Sequence, residues 1–215
     1  AERYLNEFLF LAEGGTLVKY KGEEIFSCPL GVDNALNVLK AGEHFENILR
    51  VYCGKNDAYI LREQDKPEYF KELSKYYTHA ATTDTFDSID DIALKVAFFD
   101  VTGHVVENVY DKLGAFYDSL QVVPTANCWV DIMAPNINKG VAIKNIQRVM
   151  NIKPEECAAF GDYLNDIEML QAVGYGFAMA NAHPDLKKVA KFETASNDQA
   201  GVLVGIKKLI AYGLI

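Results

Sequence analysis

The sequence predicts an α/β fold. Segments with the alternation of strands take turns with segments of helical periodicity along the chain, which is the pattern of sheets covered by helices. The 215 residues are half hydrophobic, enough to bury one large core or two smaller ones. No internal repeat or low-complexity stretch interrupts the pattern.

Three parts follow one another along the chain. Residues 1–30 predict a strand near Phe8 and a hairpin, with turns at Gly14-Gly15 and Lys21-Gly22. Residues 31–134 alternate strands and helices as an α/β unit that can fold independently. Residues 135–215 alternate helix and strand as the second half of a doubly wound sheet.

The middle part begins with a predicted helix at 32–40, closed by Gly42. Its remaining elements are predicted in this order: strands at 47–52 and 58–61, a helix at 67–77, a strand-turn-strand at 94–109, a helix at 112–120 and a strand at 128–132.

The most informative segment follows a short apolar strand at 157–160. Gly161 allows a tight turn, and Asp162, Asn165 and Asp166 stand at i, i+3 and i+4, which a helix beginning here would place on one face. Oxygen ligands at the carboxyl end of a strand suit Mg²⁺, which takes few carboxylates and keeps positions for water and phosphate. The alternative is a capping aspartate with ordinary acids in the first helical turn.

A lysine upstream favours the metal and phosphate interpretation. Asn138-Lys139-Gly140 opens a predicted helix, where the ammonium of Lys139 opposes the helix dipole. This placement is tolerated if the ammonium faces an anion, as it would at a phosphate site. The alternative is a solvated surface lysine.

Three sequence blocks carry a family resemblance. They are Lys139-Gly140, the G-D-x-x-N-D of residues 161–166, and Ala178-Met179-Ala180-Asn181-Ala182 followed by Gly201-Val202. With these blocks in this order, residues 138–202 closely resemble the carboxyl half of haloacid dehalogenase superfamily phosphatases of the Cof-type sugar-phosphatase branch. Residues 10–30 resemble the strand and hairpin before the family's cap, with Gly14 where the family usually has Asn.

The resemblance implies a fold and a set of roles. The fold would be a doubly wound Rossmannoid core, of which 1–30 and the carboxyl part 135–215 are present, with a large α/β cap inserted at 31–134. Lys139 would be the catalytic lysine that neutralises the phosphoryl group and the nucleophile. Asn165 would contact the phosphate, Asp162 would bind Mg²⁺, and Asp166 would support or complete the metal shell.

One part of the family's machinery has no counterpart in these residues. The family attacks phosphate with an aspartate in an hhhh-D-x-D-G-T block, followed by a Ser/Thr motif, and neither is present. On this alignment at least one strand-helix-strand unit, roughly 30 or more residues, is missing. We therefore expect a core with two exposed inner edges, poor solubility and no activity for the 215 residues alone, while the cap remains folded.

Asp100 is the internal candidate for the nucleophile. It ends an apolar run and is followed by Val101-Thr102-Gly103, but Thr102 stands where the motif has its second acid. Residues 104–110 alternate like the second arm of a hairpin, and the position lies within the predicted cap. We interpret Asp100 as an imitation of the motif.

Composition excludes several classes of protein. A net charge of −9 without a Lys/Arg cluster argues against nucleic-acid binding, whereas a small phosphorylated substrate needs only local positive charge. No apolar run reaches the roughly 18 to 20 residues of a membrane span, and residues 1–3 begin no secretory signal. A cytoplasmic location is the expectation.

The remaining chemically active residues are expected to be structural. The cysteines lack zinc-site spacing and should be reduced and mostly buried: Cys28, Cys53, Cys128 and Cys157. The loop acids should be solvated rather than form a second metal site: Asp65, Asp84, Asp87, Asp90 and Asp91. His79 and His104 are expected on the cap surface, whereas His183 follows the Asn181 loop that would approach the metal.

The predicted function is a Mg²⁺-dependent phosphatase acting on small phosphorylated metabolites, above all sugar phosphates. By resemblance the mechanism is covalent, with an aspartate outside these residues attacking phosphorus. Two alternatives stay open: a non-catalytic fragment or cap-bearing binding module, and more weakly a phosphomutase. The sequence identifies neither the exact substrate nor the oligomeric state.

Overall fold

The computed structural model of the chain describes residues 8–77 and 79–214. It divides into two compact units, Ala1–Ile137 and Asn138–Ile215. Both combine sheets with helices, as the predicted α/β class requires. The predictions for residues 1–7 lie outside the described residues.

The first unit begins with a small antiparallel sheet of strands β1 (Leu9–Ala12), β2 (Leu17–Tyr20) and β3 (Glu23–Ser27). The turn between β2 and β3 places Lys21 and Gly22 at positive φ, 53° and 81°. The predicted hairpin is therefore present, with its turn at Lys21-Gly22.

A six-stranded sheet forms most of the first unit. In chain order its elements are α1 (Val32–Ala41), β4 (Ile48–Gly54), β5 (Ala58–Leu61), α2 (Pro67–Leu73), β6 (Ala80–Thr83), β7 (Ala93–Asp100), α3 (Val105–Asn108), β8 (Gln121–Ala126) and β9 (Trp129–Met133). The strand order is β6-β5-β4-β7-β9-β8, and every pair is antiparallel except β5 with β6.

Both faces of this sheet are covered. Alternation along the central strands sends Tyr52 and Phe98 into a core shared with α1, and sends Val51 and Phe99 into a second core that α2 closes. The central strands β4 and β7 are consequently almost wholly buried.

Two predictions in this unit were wrong, and two strands were missed. The second arm expected at 104–110 is the short helix α3, and the helix expected at 112–120 is a 3₁₀ segment, Tyr110–Phe116. The edge strands β6 and β8 were not predicted. The chain turns away after β7 because the buried Asp100 carboxylate accepts hydrogen bonds from Thr102 and Asn108, which folds the segment back as a helix.

A buried ion cluster ties the small sheet to the large one. Lys95 Nζ lies 3.0 Å from Asp131 Oδ2 and 3.2 Å from Glu13 Oε2, and the Tyr77 hydroxyl donates to the same Glu13 oxygen at 3.1 Å. Burial acts to lower the pKa of Lys95, but the two carboxylates outweigh it and raise that pKa. At the adjoining turn Gly14 has φ 70°, and a Cβ there would lie 2.6 Å from Met133 Sδ.

The second unit carries a parallel sheet flanked by helices. Its elements are α4 (Lys139–Met150), β10 (Ala158–Gly161), α5 (Ile167–Gln171), β11 (Tyr175–Ala178), α6 (Pro184–Val189), β12 (Phe192–Glu193) and α7 (Gly201–Ala211). The order is β10-β11-β12, so within the described part of the chain β10 pairs on one edge only. Because the strands are parallel, the carboxyl ends of β10 and β11 lie together at one edge of the sheet.

Within residues 8–77 and 79–214, none of the helices combines the length and apolar character needed to cross a bilayer.

Candidate active site

The chain leaves β10 through a tightly hydrogen-bonded turn. Asp166 Oδ2 accepts hydrogen bonds from the backbone N–H groups of Asp162 (3.0 Å) and Tyr163 (3.4 Å), and residues 164–166 form one 3₁₀ turn. Helix α5 begins only at Ile167, so the helix expected from Asp162 starts later than predicted. The i, i+4 spacing of the aspartates is that of a capped turn rather than of a helix face.

Gly161 is the residue that allows this turn. A Cβ at this position would lie 2.6 Å from Asp166 Cβ and 3.0 Å from Asp166 Oδ2. Only glycine lets the strand end pass this close to the carboxylate.

Lys139 lies against the same carboxylate. Its Nζ is 2.5 Å from Asp166 Oδ1, and the exposed fractions of the two side chains are 26% and 8%. Asn138 caps α4, because its Oδ1 accepts from Val141 N at 2.9 Å. Lys139 is therefore an ion-paired lysine at a helix N-terminus and not a freely solvated one.

Close packing of α4 on α5 brings the lysine to the strand end. A Cβ on Gly140 would lie 2.4 Å from the Glu168 carbonyl oxygen. The glycine of the Lys139-Gly140 block thus lets the start of α4 approach the backbone of α5.

The Asp162 carboxylate is exposed and lightly held. Among the described residues its side chain makes one hydrogen bond, accepted by Oδ2 from Asn181 Nδ2 at 3.3 Å. The loop after β11 is fixed beside it, since His183 N donates to the Asp162 carbonyl at 2.9 Å and Met179 N donates to the Gly161 carbonyl at 3.0 Å. The loop containing Asn181 and His183 therefore does approach this strand end, as the sequence predicted.

Asn165 is half-buried, and its side chain makes no hydrogen bond to any described residue. Its contact with phosphate stays a prediction. Sequence reasoning did not assign a role to the Asn181 side chain, although it lies in one of the blocks that carry the family resemblance; the structure adds it to the site through Asp162.

The donor set fits Mg²⁺ better than metals that need a full set of protein ligands. Among the described residues no group of three or more His, Cys, Asp or Glu side chains is arranged to hold a metal. Both Asp166 oxygens already accept hydrogen bonds, which leaves Asp162 as the open carboxylate. A cation held through one or two carboxylates and otherwise by water and substrate is the situation typical of Mg²⁺.

Asp100 is a structural residue in this fold. It is fully buried, and its carboxylate accepts from the Thr102 backbone and hydroxyl, both at 2.7 Å, and from Asn108 Nδ2 at 2.8 Å. Burial acts to raise its pKa, but these hydrogen bonds outweigh it and lower the pKa below the usual value. A carboxylate so enclosed is unsuited to in-line attack on phosphate.

The expectations for the cysteines, the loop acids and the cap histidines are met only in part. All four cysteines are unpaired, but only Cys53 is fully buried. Asp91 is not a solvated loop acid, because it accepts from Asn56 N and Nδ2 at 2.9 and 3.0 Å and so fixes the turn between β4 and β5. His79 is on the surface as expected, with Nδ1 2.6 Å from Asp57 Oδ2.

Comparison with known proteins defines the class. Residues 3–206 match the haloacid dehalogenase-like hydrolase family, and the chain belongs to that family. The predicted superfamily, its α/β fold and the phosphatase class are thereby confirmed.

Particular relatives sharpen the comparison. The chain is 32% identical over 209 residues to 5-amino-6-(5-phospho-D-ribitylamino)uracil phosphatase YbjI of Escherichia coli strain K12, covering 96% of this chain and 76% of that protein. It is 25% identical to the putative phosphatase YxeH of Bacillus subtilis strain 168, with 97% and 81% covered.

Solved structures share the fold. SMU.1108c from Streptococcus mutans UA159 superposes with a TM-score of 0.85 at 22% identity, covering 95% of this chain and 77% of that one. The HAD subclass IIB sugar phosphatase BT4131 gives 0.79 at 20% identity, with 96% and 76% covered.

Proposed function

We propose that this protein is a Mg²⁺-dependent phosphatase that acts on small phosphorylated metabolites, with sugar phosphates as the first class to test. One observation carries the proposal: Lys139 and Asp166 form an ion pair at the strand end where the exposed Asp162 carboxylate stands. The substrate class is supported by the activities of two similar proteins, 5-amino-6-(5-phospho-D-ribitylamino)uracil phosphatase YbjI and the sugar phosphatase BT4131.

Lys139 would meet the negative charge of the phosphoryl group. Phosphoryl transfer is accelerated chiefly by positioning and by charge placed near the equatorial oxygens. The ammonium stands where α4 begins and is partly exposed, while the buried Asp166 carboxylate holds it from behind. Lys139 would therefore need little reorganisation to receive a phosphate.

Asp166 would act as a positioning residue. One of its oxygens orients Lys139 and the other fixes the backbone of residues 162 and 163. It thus sets the relative placement of the lysine and Asp162, and we assign it the supporting one of the two roles that the resemblance left open.

Asp162 would hold the metal. When bound, Mg²⁺ would neutralise phosphoryl oxygens as a Lewis acid. The Asn181 amide, 3.3 Å from Asp162 Oδ2, would orient the carboxylate, and Asn165 would contact the phosphate.

The nucleophile is the point on which an alternative rests. The 215 residues contain no D-x-D-G-T motif, and the enclosed Asp100 carboxylate is a poor substitute. A module that binds Mg²⁺ and phosphate without turnover is therefore the second candidate.

We also retain, as parts of the proposal, the domain division at residues 30/31 and 134/135 and a cytoplasmic location.

The test is release of inorganic phosphate by the full-length protein from a panel of sugar phosphates and 5-amino-6-(5-phospho-D-ribitylamino)uracil, with Mg²⁺ or with EDTA. Turnover that EDTA abolishes supports the proposal. Lys139→Ala should reduce it strongly, and Lys144→Ala, an exposed lysine of the same helix, is the matched control.

Other outcomes have a defined meaning. Turnover that survives EDTA would contradict the metal assignment. Binding of Mg²⁺ and phosphate without turnover would replace the phosphatase by the binding module.

A further inference from the structure

A groove on the first unit is built around a buried arginine. It has a volume of about 740 Å³ and lies between α1, the β4 and β5 strands and the loop at residues 84–87. This is within the size range of pockets that hold small molecules, roughly 300 to 1,000 Å³. None of Lys139, Asp162, Asn165 or Asp166 lines it.

Arg50 lies at the base of this groove with most of its donors unused. It is 8% exposed, and its Nη1 donates to the Leu39 carbonyl at 3.1 Å. Nη2 forms a long ion pair of 3.9 Å with Glu63 Oε1, but no hydrogen bond, and the Glu63 side chain is 75% exposed; Nε has no partner among the described residues. Every fully buried side-chain nitrogen in the described part of the chain has a hydrogen-bond partner. Since Nη2 and Nε have no such partner, they are not fully buried, and the solvent that they contact is that of the groove.

A buried guanidinium with two nitrogens facing solvent is suited to a planar anion. Nη2 and Nε present parallel N–H groups that match the two oxygens of a carboxylate. Arg50 Cζ also lies 5.6 Å from the centroid of the Phe86 ring, a cation–π contact that helps to hold the guanidinium in place. The site is therefore organised before any ligand arrives.

The rim has the opposite charge. Asp33, Glu43 and Asp87 line the groove and are exposed, and none forms an ion pair with a described residue. Acidic side chains outnumber the basic ones along the lining. A ligand with only a negative charge would be repelled by the acidic rim, and a ligand with only a positive charge would be repelled by Arg50.

We propose that the groove binds a small zwitterion of the amino-acid class, with its carboxylate on Arg50 and its ammonium among the Asp33, Glu43 and Asp87 carboxylates. A phosphate ester is disfavoured because its second negative charge increases the repulsion from the rim. Leu36 and Leu61 supply apolar wall for a side chain. The ligand thus satisfies both charges of the site at once.

The experiment screens the full-length protein against the twenty proteinogenic amino acids singly, by thermal shift and then calorimetry. Acetate and methylammonium at equal concentration separate the two charges. At least one amino acid should raise Tm by about 5 °C at 100 times its dissociation constant, whereas neither single-charge probe should do so.

Variants locate the site. Arg50→Lys should weaken binding at least tenfold, because an ammonium cannot replace the planar fork. Since Arg50 is buried and this variant could lose stability, Asp33→Asn and Asp87→Asn provide exposed alternatives, each expected to weaken binding several-fold. Asp65→Asn, an exposed acid of the same unit outside the groove, should leave affinity unchanged.

Three results would overturn the inference: no amino acid binds, acetate or methylammonium alone binds as well as the amino acid, or the Asp33 and Asp87 variants bind as the unaltered protein does.

Discussion

Replacing Asp166 by Asn removes one charge from a carboxylate whose two oxygens serve different donors. Oδ1 accepts from Lys139 at 2.5 Å, and Oδ2 accepts from the backbone N–H groups of Asp162 and Tyr163. An asparagine amide offers one oxygen and one NH₂ group. Whichever way it turns, its NH₂ group must face donors.

The expected cost follows from burial. The Asp166 side chain is 8% exposed, so one side of the amide leaves buried donors unsatisfied, at about 1–3 kcal/mol. Lys139 is 26% exposed and regains some water, which keeps the loss from reaching the 3–5 kcal/mol of a fully buried broken pair. We expect Asp166→Asn to lower the free energy of unfolding of the second unit by about 2 kcal/mol.

Asp162→Asn is the matched control for stability. Asp162 is exposed, and within the described part of the chain its side chain makes one hydrogen bond, of 3.3 Å, so its replacement should change stability by no more than about 0.5 kcal/mol. Activity should respond in the opposite order. Loss of the open metal carboxylate, as in Asp162→Ala or Asp162→Asn, should cost more than about 100-fold, and loss of the supporting Asp166 about 10 to 100-fold.

Urea unfolding followed by far-UV circular dichroism measures the stability difference. The single tryptophan, Trp129, belongs to the first unit, so its fluorescence separates that unit's unfolding from the second unit's. The reasoning is refuted if Asp166→Asn unfolds at the same urea concentration as the unaltered protein, or if the two aspartate variants lose stability equally.

Three further predictions follow from the same contacts. Lys139→Ala should reduce turnover more than it reduces stability. Lys139→Arg should restore little of that turnover, because the guanidinium fork differs in shape from a compact ammonium. Normal kinetics in both variants would remove the lysine from the site. Gly161→Ala should displace the Asp166 carboxylate and lower the free energy of unfolding by about 1–3 kcal/mol. Gly114→Ala is the control and should be nearly neutral, because the nearest atom to a Cβ there is 4.0 Å away. Equal unfolding midpoints for the two variants would contradict the close approach at Gly161. The hydrogen bonds that lower the folded-state pKa of Asp100 should contribute stability that is fully present above the unfolded-state pKa near 3.8 and is lost as pH falls through the folded-state pKa. Asp100→Asn should therefore differ from the unaltered protein at pH 6, and the difference should shrink as pH falls through the folded-state pKa. A difference that does not depend on pH would show that the charge is unimportant.

The local structure around the candidate site was partly predictable from short sequence patterns, although its residues are not neighbours along the chain: Lys139 lies 27 residues before Asp166. The apolar run before Gly161, the Asp162 to Asp166 spacing and Lys139 at a helix start all indicate their local structure, and the family resemblance ordered them. What the spacing could not reveal is that Asp166 turns back to cap residues 162 and 163. An aspartate at i+4 has the same pattern whether it lies on a helix face or folds the turn before the helix.

Elsewhere the sequence was ambiguous for physical reasons. Strand β6 is four small residues at a sheet edge, and β8 contains Pro124, which is tolerated because β8 is the opposite edge. Half-exposed edge strands show little alternation, so neither was predicted. The buried Val105, which begins α3, and Val109, which follows its last residue, are four residues apart, a spacing that fits a helix as well as the alternation that suggested a strand.

The ion cluster of Glu13, Lys95 and Asp131 has a consequence for recombining this protein with its relatives. Glu13 lies before β2, whereas its partners lie on β7 and β9 of the larger sheet. A chimera that exchanges residues 31–134 alone would place Lys95 beside the recipient's residue at position 13. Where that residue carries no carboxylate, the buried ammonium keeps only the Asp131 counterion. Residues 13–133 should therefore be transferred as one block, or Glu13, Tyr77, Lys95 and Asp131 matched in both parents.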